Sequence, residues 1–169
     1  MMKTALTTVF QIVCLCFLVV AYNNLTNSLP VAVKIEKENV VIKEIKNDLV
    51  ALNAPTKKIP ELTNAVYTAH TSTGLNPKLI TSLMYTESNF KTRATGPVNK
   101  TKIRYKGLMQ TPTATWFSDV DTLHGARILK EKLAIANNNL RTALALYKGG
   151  NNPAALRQAD EVLKIYQEL

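Results

Sequence analysis

The stretch best suited to proton chemistry is residues 76–90, NPKLITSLMYTESNF, where a glutamate ends an apolar helical stripe. Asn76 followed by Pro77 is a helix start signal, because the Asn side chain can accept from an orphan backbone N–H and proline tolerates the first helical position. Leu79, Ile80, Leu83 and Met84 then recur at three- and four-residue spacing, and Glu87 continues their stripe. Burial disfavours a carboxylate, and the negative end of the helix dipole disfavours it further, so Glu87 should hold its proton to higher pH than a free glutamate. A general acid working near neutrality needs this property. The competing reading is that Glu87 pairs with one of the many Lys and Arg residues, an arrangement that also perturbs carboxylates without any catalysis.

The elements around this helix read as helical almost throughout. Leu62, Val66 and Ala69 mark a helix ended by Gly74. Residues 91–106 form a basic, irregular stretch with Lys91, Arg93, Lys100, Lys102, Arg104 and Lys106 and no acid. Thr111-Pro112 opens a short helix bearing Trp116, and Asp119 or Asp121 opens another with Leu123, Ala126, Leu129 and Leu133 on one side. Residues 137–139 make a turn. The helix from Leu140 to Tyr147 stops at Gly149-Gly150, and Asn152-Pro153 repeats the start signal for a last helix through Leu156, Leu163 and Tyr166. No alternating strand-helix pattern appears, so residues 59–169 read as an all-α, or mainly α, domain of about 110 residues.

Two segments precede it. Residues 5–22 carry no charge and are about long enough to span a bilayer core, so residues 1–30 read as a targeting segment, either a signal peptide or, as favoured by its length, an uncleaved transmembrane anchor. Residues 31–58 form an amphipathic stalk and linker. Ile35, Ile42, Ile45, Leu49 and Leu52 are in heptad phase between lysines and glutamates, although Val31, Val33 and Ile35 also alternate like a strand. The prolines at Pro55 and Pro60 set the domain boundary.

The formal charge is +9, with most of the excess beyond residue 58. Nucleic acid, anionic lipid and bacterial cell wall would all suit such an excess. No recognition motif or interleaving of aromatic and basic residues supports nucleic acid. Both cysteines, Cys14 and Cys16, lie in the apolar run, which leaves no disulfide framework or cysteine metal site for the domain, and His70 and His124 are isolated. Neither a metal nor a cofactor is called for.

Three short pieces occur in order: Glu87-Ser88-Asn89-Phe90, Gly107-Leu108-Met109-Gln110, and the run from Ala143 to Gly150. With the helix ahead of them and His124-Gly125-Ala126-Arg127 between the second and third, they resemble the lytic transglycosylases of the soluble type, a branch of the lysozyme-like superfamily related to goose-type lysozyme. The resemblance covers about Leu62 to Leu169 and implies a lysozyme-like domain that cleaves the β-1,4 bond between N-acetylmuramic acid and N-acetylglucosamine in peptidoglycan. It implies that Glu87 first protonates the glycosidic oxygen. The carboxylate left behind takes the proton of the muramic acid 6-hydroxyl, which closes on the anomeric carbon to give a 1,6-anhydro end. By the same resemblance Gln110 and the backbone around Met109 contact the sugars, and Tyr147 reaches toward Glu87. Lys148 stands where the family has asparagine. Gly96 takes the place of a family serine, so Thr95 would have to supply any hydroxyl needed there.

The expectation is a membrane-anchored enzyme facing the wall outside the cytoplasmic membrane, or a virion-associated one, with peptidoglycan as its partner and the stalk available to envelope-spanning or virion assembly proteins. A muramidase that uses water, or an inactive wall-binding component of an envelope-spanning machine, are the alternatives.

Overall fold

The computed structural model describes residues 33–98 and 102–169. The expected anchor at residues 1–30, and with it the contact to the membrane, lies outside the described residues, as does Lys100. Among the described residues no helix is long and apolar enough to cross a membrane.

Helix α1 covers residues 33–51. After the 3-10 turn Thr56–Lys58 come α2 (Ile59–Thr73), α3 (Pro77–Ser88), the strands β1 (Thr95–Val98) and β2 (Arg104–Lys106), then α4 (Ser118–Ile135), α5 (Leu140–Lys148) and α6 (Pro153–Glu168). The described chain is mainly helical, as the periodicity predicts. Helix α2 packs on α4, α5 lies between α4 and α6, and α3 packs on α6 and α2. Their shared core holds Leu62, Val66, Ile80, Leu83, Met84, Leu129 and Leu144, all fully buried.

The start and stop signals act as their chemistry requires. Asn76 Oδ1 accepts from the Lys78 N–H at 2.9 Å, Asn139 Oδ1 from that of Thr142 at 2.9 Å, and Asn152 Oδ1 from those of Ala154 and Ala155. Gly74, at φ 75°, ends α2 in the left-handed conformation that a Cβ penalises.

Three expectations are corrected. First, the compact unit starts at Val41, inside the expected stalk, and runs to Leu169. Ile45 and Leu49 are fully buried and Ala54 nearly so, in the same apolar cluster as helices α2 to α6. A stripe that seals a core and one that pairs with another helix have the same spacing, so the heptad phase of α1 could not distinguish them. The strand-like alternation at Val33 and Ile35 also gives way to helix, in a segment rich in helix-favouring Lys and Glu.

Second, the basic stretch is not irregular. β1 and β2 pair antiparallel, Thr95 with Lys106 and Val98 with Arg104, with a break in register between. Gly96-Pro97 in a four-residue strand is a poor strand signal. After β2 the chain turns at Gly107, at φ 77°, whose N–H donates to the Ala94 carbonyl at 2.9 Å.

Third, Thr111-Pro112 opens no helix. Thr111 is bridged to Lys106, and Asp121 reaches back from α4 to accept from the N–H groups of Thr115 and Trp116 at 2.7 and 3.2 Å. Those bonds hold residues 115–117 as a bent, non-helical entry to α4, with Trp116 in left-handed backbone at φ 70°.

Replacement of Leu49 by Ala, in the full-length chain, should lower stability by about 2–5 kcal/mol, read as the shift of the denaturant midpoint. A shift below about 0.5 kcal/mol, the size of a surface substitution, would show that α1 does not belong to the core.

Candidate active site

Glu87 is placed by the way α3 ends. Asn89 and Phe90 both take left-handed backbone, at φ 50° and 59°, and turn the chain sharply after Ser88. Phe90 is almost fully buried and packs against Tyr85 with ring centroids 5.6 Å apart, so the turn is fixed from inside. Glu87 is left in the last turn of α3, lining a cleft of about 560 Å³ with Tyr85, Asn89, Lys91, Thr95 and Gln110.

Across the base of this carboxyl group lies Lys148, the last residue of α5. Its Nζ is 3.0 Å from Glu87 Oε1 and donates to Thr86 Oγ1 at 3.1 Å. Both side chains are withdrawn from water, Lys148 being 7% exposed and Glu87 12%. The ion-pair reading of Glu87 therefore holds as geometry, yet the carboxyl is still pushed above the ordinary 4.5 of a glutamate. Burial is the larger effect, and the charge and hydrogen bond of Lys148 offset only part of it.

Gln110 and Thr95, both expected at the site, line the same cleft. Gln110 sits at φ 46°, and its Nε2 donates to the Gly107 carbonyl at 3.0 Å and the Ala94 carbonyl at 3.3 Å. These bonds fasten the hairpin to the turn before α4. They also account for Gly96, since a Cβ there would come within 2.7 Å of Gln110 Oε1.

Met109 and Tyr147 sit behind the cleft and not in its lining. The Met109 side chain is fully buried. Tyr147 donates from its hydroxyl to the Met109 carbonyl at 2.7 Å and not to Glu87. The phenol is pushed well above its ordinary value, first by burial and then by the negative charge of Glu87, and so remains a donor. A residue passed over in the sequence explains this packing. A Cβ on Gly125, midway along α4, would lie 2.4 Å from Met109 Cβ and 2.9 Å from the Tyr147 hydroxyl. Its signal was a lone glycine inside an amphipathic helix.

The remaining acids of the domain are accounted for elsewhere or lie outside the cleft. Glu61 accepts from the Ser118 hydroxyl, Asp121 caps the entry to α4, and Asp160 is bound by Arg141 at 2.6 Å. Glu161 and Glu168 line a neighbouring hollow with Lys164. Among the described residues lining the cleft, Glu87 is the one acid. No group of three or more His, Cys, Asp or Glu side chains among the described residues could hold a metal ion.

The raised value of Glu87 has a consequence for stability. Its contribution is fully present below the ordinary value of 4.5 and is lost as pH rises through the folded-state value. Glu87→Gln does not titrate and escapes that loss. Its melting temperature should match wild type at about pH 4, and equal or exceed it at about pH 8, as followed by circular dichroism. A variant that melts several degrees lower at the higher pH would mean that the Lys148 pair outweighs burial.

No protein-family model matches this chain, and no curated protein matches it.

Proposed function

We propose that this protein is a peptidoglycan lytic transglycosylase that cuts the MurNAc-GlcNAc β-1,4 bond with Glu87 as its single acid-base group. The observation that carries the reading is a largely buried carboxyl of raised proton affinity lining a cleft in which no second described residue is an acid. Hydrolysis with one carboxylate as acid and another as nucleophile or base needs two such groups about 5 to 9.5 Å apart. With one, the oxygen leaving with N-acetylglucosamine takes its proton from Glu87, and Glu87 takes the next from the 6-hydroxyl of the N-acetylmuramic acid, whose oxygen bonds to its own anomeric carbon in place of the broken glycosidic bond. The attacking oxygen then comes from the substrate and no bound water has to be held.

The supporting parts are positional. Gln110 offers its amide oxygen at the cleft wall beside Thr95, and Lys91 adds a positive rim suited to an anionic glycan. The resemblance in the motif residues, with a mainly helical domain around them, adds the lysozyme-like class of fold to the proposal. Residues 1–30 would anchor the chain in the cytoplasmic membrane, with the domain toward the wall, or serve a virion that opens the wall locally. A water-using muramidase is the second reading, favoured by Glu161 and Glu168 in the hollow that shares Tyr85, Thr86 and Asn89 with the cleft.

Digestion of purified peptidoglycan by the full-length protein should release muropeptides with 1,6-anhydro ends, one water lighter than hydrolysis products by mass spectrometry. Glu87→Gln should release none. Reducing ends from the wild type would establish the muramidase instead, and wild-type activity in Glu87→Gln would show that another group is the acid.

A further inference from the structure

Among the described residues Lys148 is the charged group in contact with the proposed acid. It is held by two contacts, Glu87 Oε1 at 3.0 Å and Thr86 Oγ1 at 3.1 Å, and is not among the residues that line the cleft. Glu87 itself does line the cleft. The carboxyl group therefore has one oxygen fixed against the protein while the group as a whole faces the substrate space. We infer that Lys148 is a positioning residue for Glu87: it fixes the carboxyl by its Oε1 and stabilises the carboxylate that forms when the proton passes to the glycosidic oxygen. This rests on the proposal that Glu87 is the general acid.

The physical case is a balance of two effects on one group. Burial alone would raise Glu87 further and leave its conjugate base without a stabilising partner. A cation at hydrogen-bonding distance favours the charged form, and in a site screened from water this effect is larger than at the surface. With both, the acid stays protonated above the ordinary range of a glutamate and still has a stabilised conjugate base. Asparagine, the residue that the resemblance leads one to expect at this position, could orient the carboxyl but would supply no charge.

Other charged and titratable groups around Glu87 do not duplicate Lys148. From α5 the neighbouring Tyr147 is a buried phenol bonded to the Met109 carbonyl. From α3 the neighbour is Tyr85, across the cleft it is Lys91, and β1 contributes only Thr95 and Gly96. From α6, Glu161, Lys164 and Glu168 line the adjoining hollow, where Lys164 and Glu168 approach to 3.9 Å.

The test is the pH dependence of kcat/KM on purified peptidoglycan for the full-length wild type, Lys148→Arg and Lys148→Met. Activity requires protonated Glu87, so its alkaline limb reports the acid in the free enzyme. Lys148→Met removes the charge and the hydrogen bond that lower Glu87, and the limb should move to higher pH while the maximal rate falls. Lys148→Arg keeps the charge, and its limb should stay close to wild type. A Lys148→Met limb that coincides with wild type overturns the inference, and so does an equal displacement in both variants. Should Lys148→Met fail to fold, as judged by circular dichroism, Lys148→Gln takes its place with the same expectations. Failure of the underlying reading looks different: the wild type is then inactive, or Glu87→Gln retains activity, whatever Lys148 does.

Discussion

Two helix ends meet at a carboxyl group and an ammonium group, both largely removed from water, and the arrangement of the site follows from keeping them together. Glu87 closes α3 and Lys148 closes α5, with Nζ and Oε1 3.0 Å apart. Each group is desolvated at this depth, and that cost is offset in part by the other and by Thr86. The pair thus ties the position of α5 to the last turn of α3. Any movement that separates the helices leaves a buried charge without its partner. That burial still outweighs the attraction at Glu87 is what turns a structural ion pair into a candidate acid.

A second constraint places α4 against this pair. Gly125 lets Met109 and the Tyr147 hydroxyl come close to the α4 backbone, where any larger residue would collide with both. The Tyr147 hydroxyl then ties α5 to the Met109 carbonyl, and Gln110, the next residue, binds the carbonyls of Gly107 and Ala94. The hairpin β1-β2 and the end of α5 are in this way joined through two consecutive residues. Met109 and Tyr147 serve the site from behind, as the frame that holds Gln110 at the cleft wall.

The sequence was most legible where one residue type does one job. Asn76 and Asn152 announce helix starts because a short amide side chain before a helical stripe has few other uses. Glu87 stood out because an acid on an apolar stripe needs a reason. Legibility failed where the partner lies far along the chain. The apolar phase of α1 is the same for a core seal as for a stalk, and only Ile45 and Leu49 in the fold decide it. The hairpin is specified by pairings of Thr95 and Val98 with Lys106 and Arg104, beyond the turn, against weak local propensity. Lys148 was visible as an odd residue after Tyr147, but its attachment to Glu87, 61 positions earlier, is a product of tertiary packing.

The account depends on Glu87 holding its proton more tightly than an ordinary glutamate while paired with Lys148. The direct measurement is a carbon-13 NMR titration of the Glu87 carboxyl carbon in the folded, full-length protein, assigned by its absence in Glu87→Gln. The account predicts a midpoint above the ordinary value of 4.5. A midpoint at or below that value would contradict it, because Lys148 would then have made Glu87 a permanent carboxylate with no proton to give.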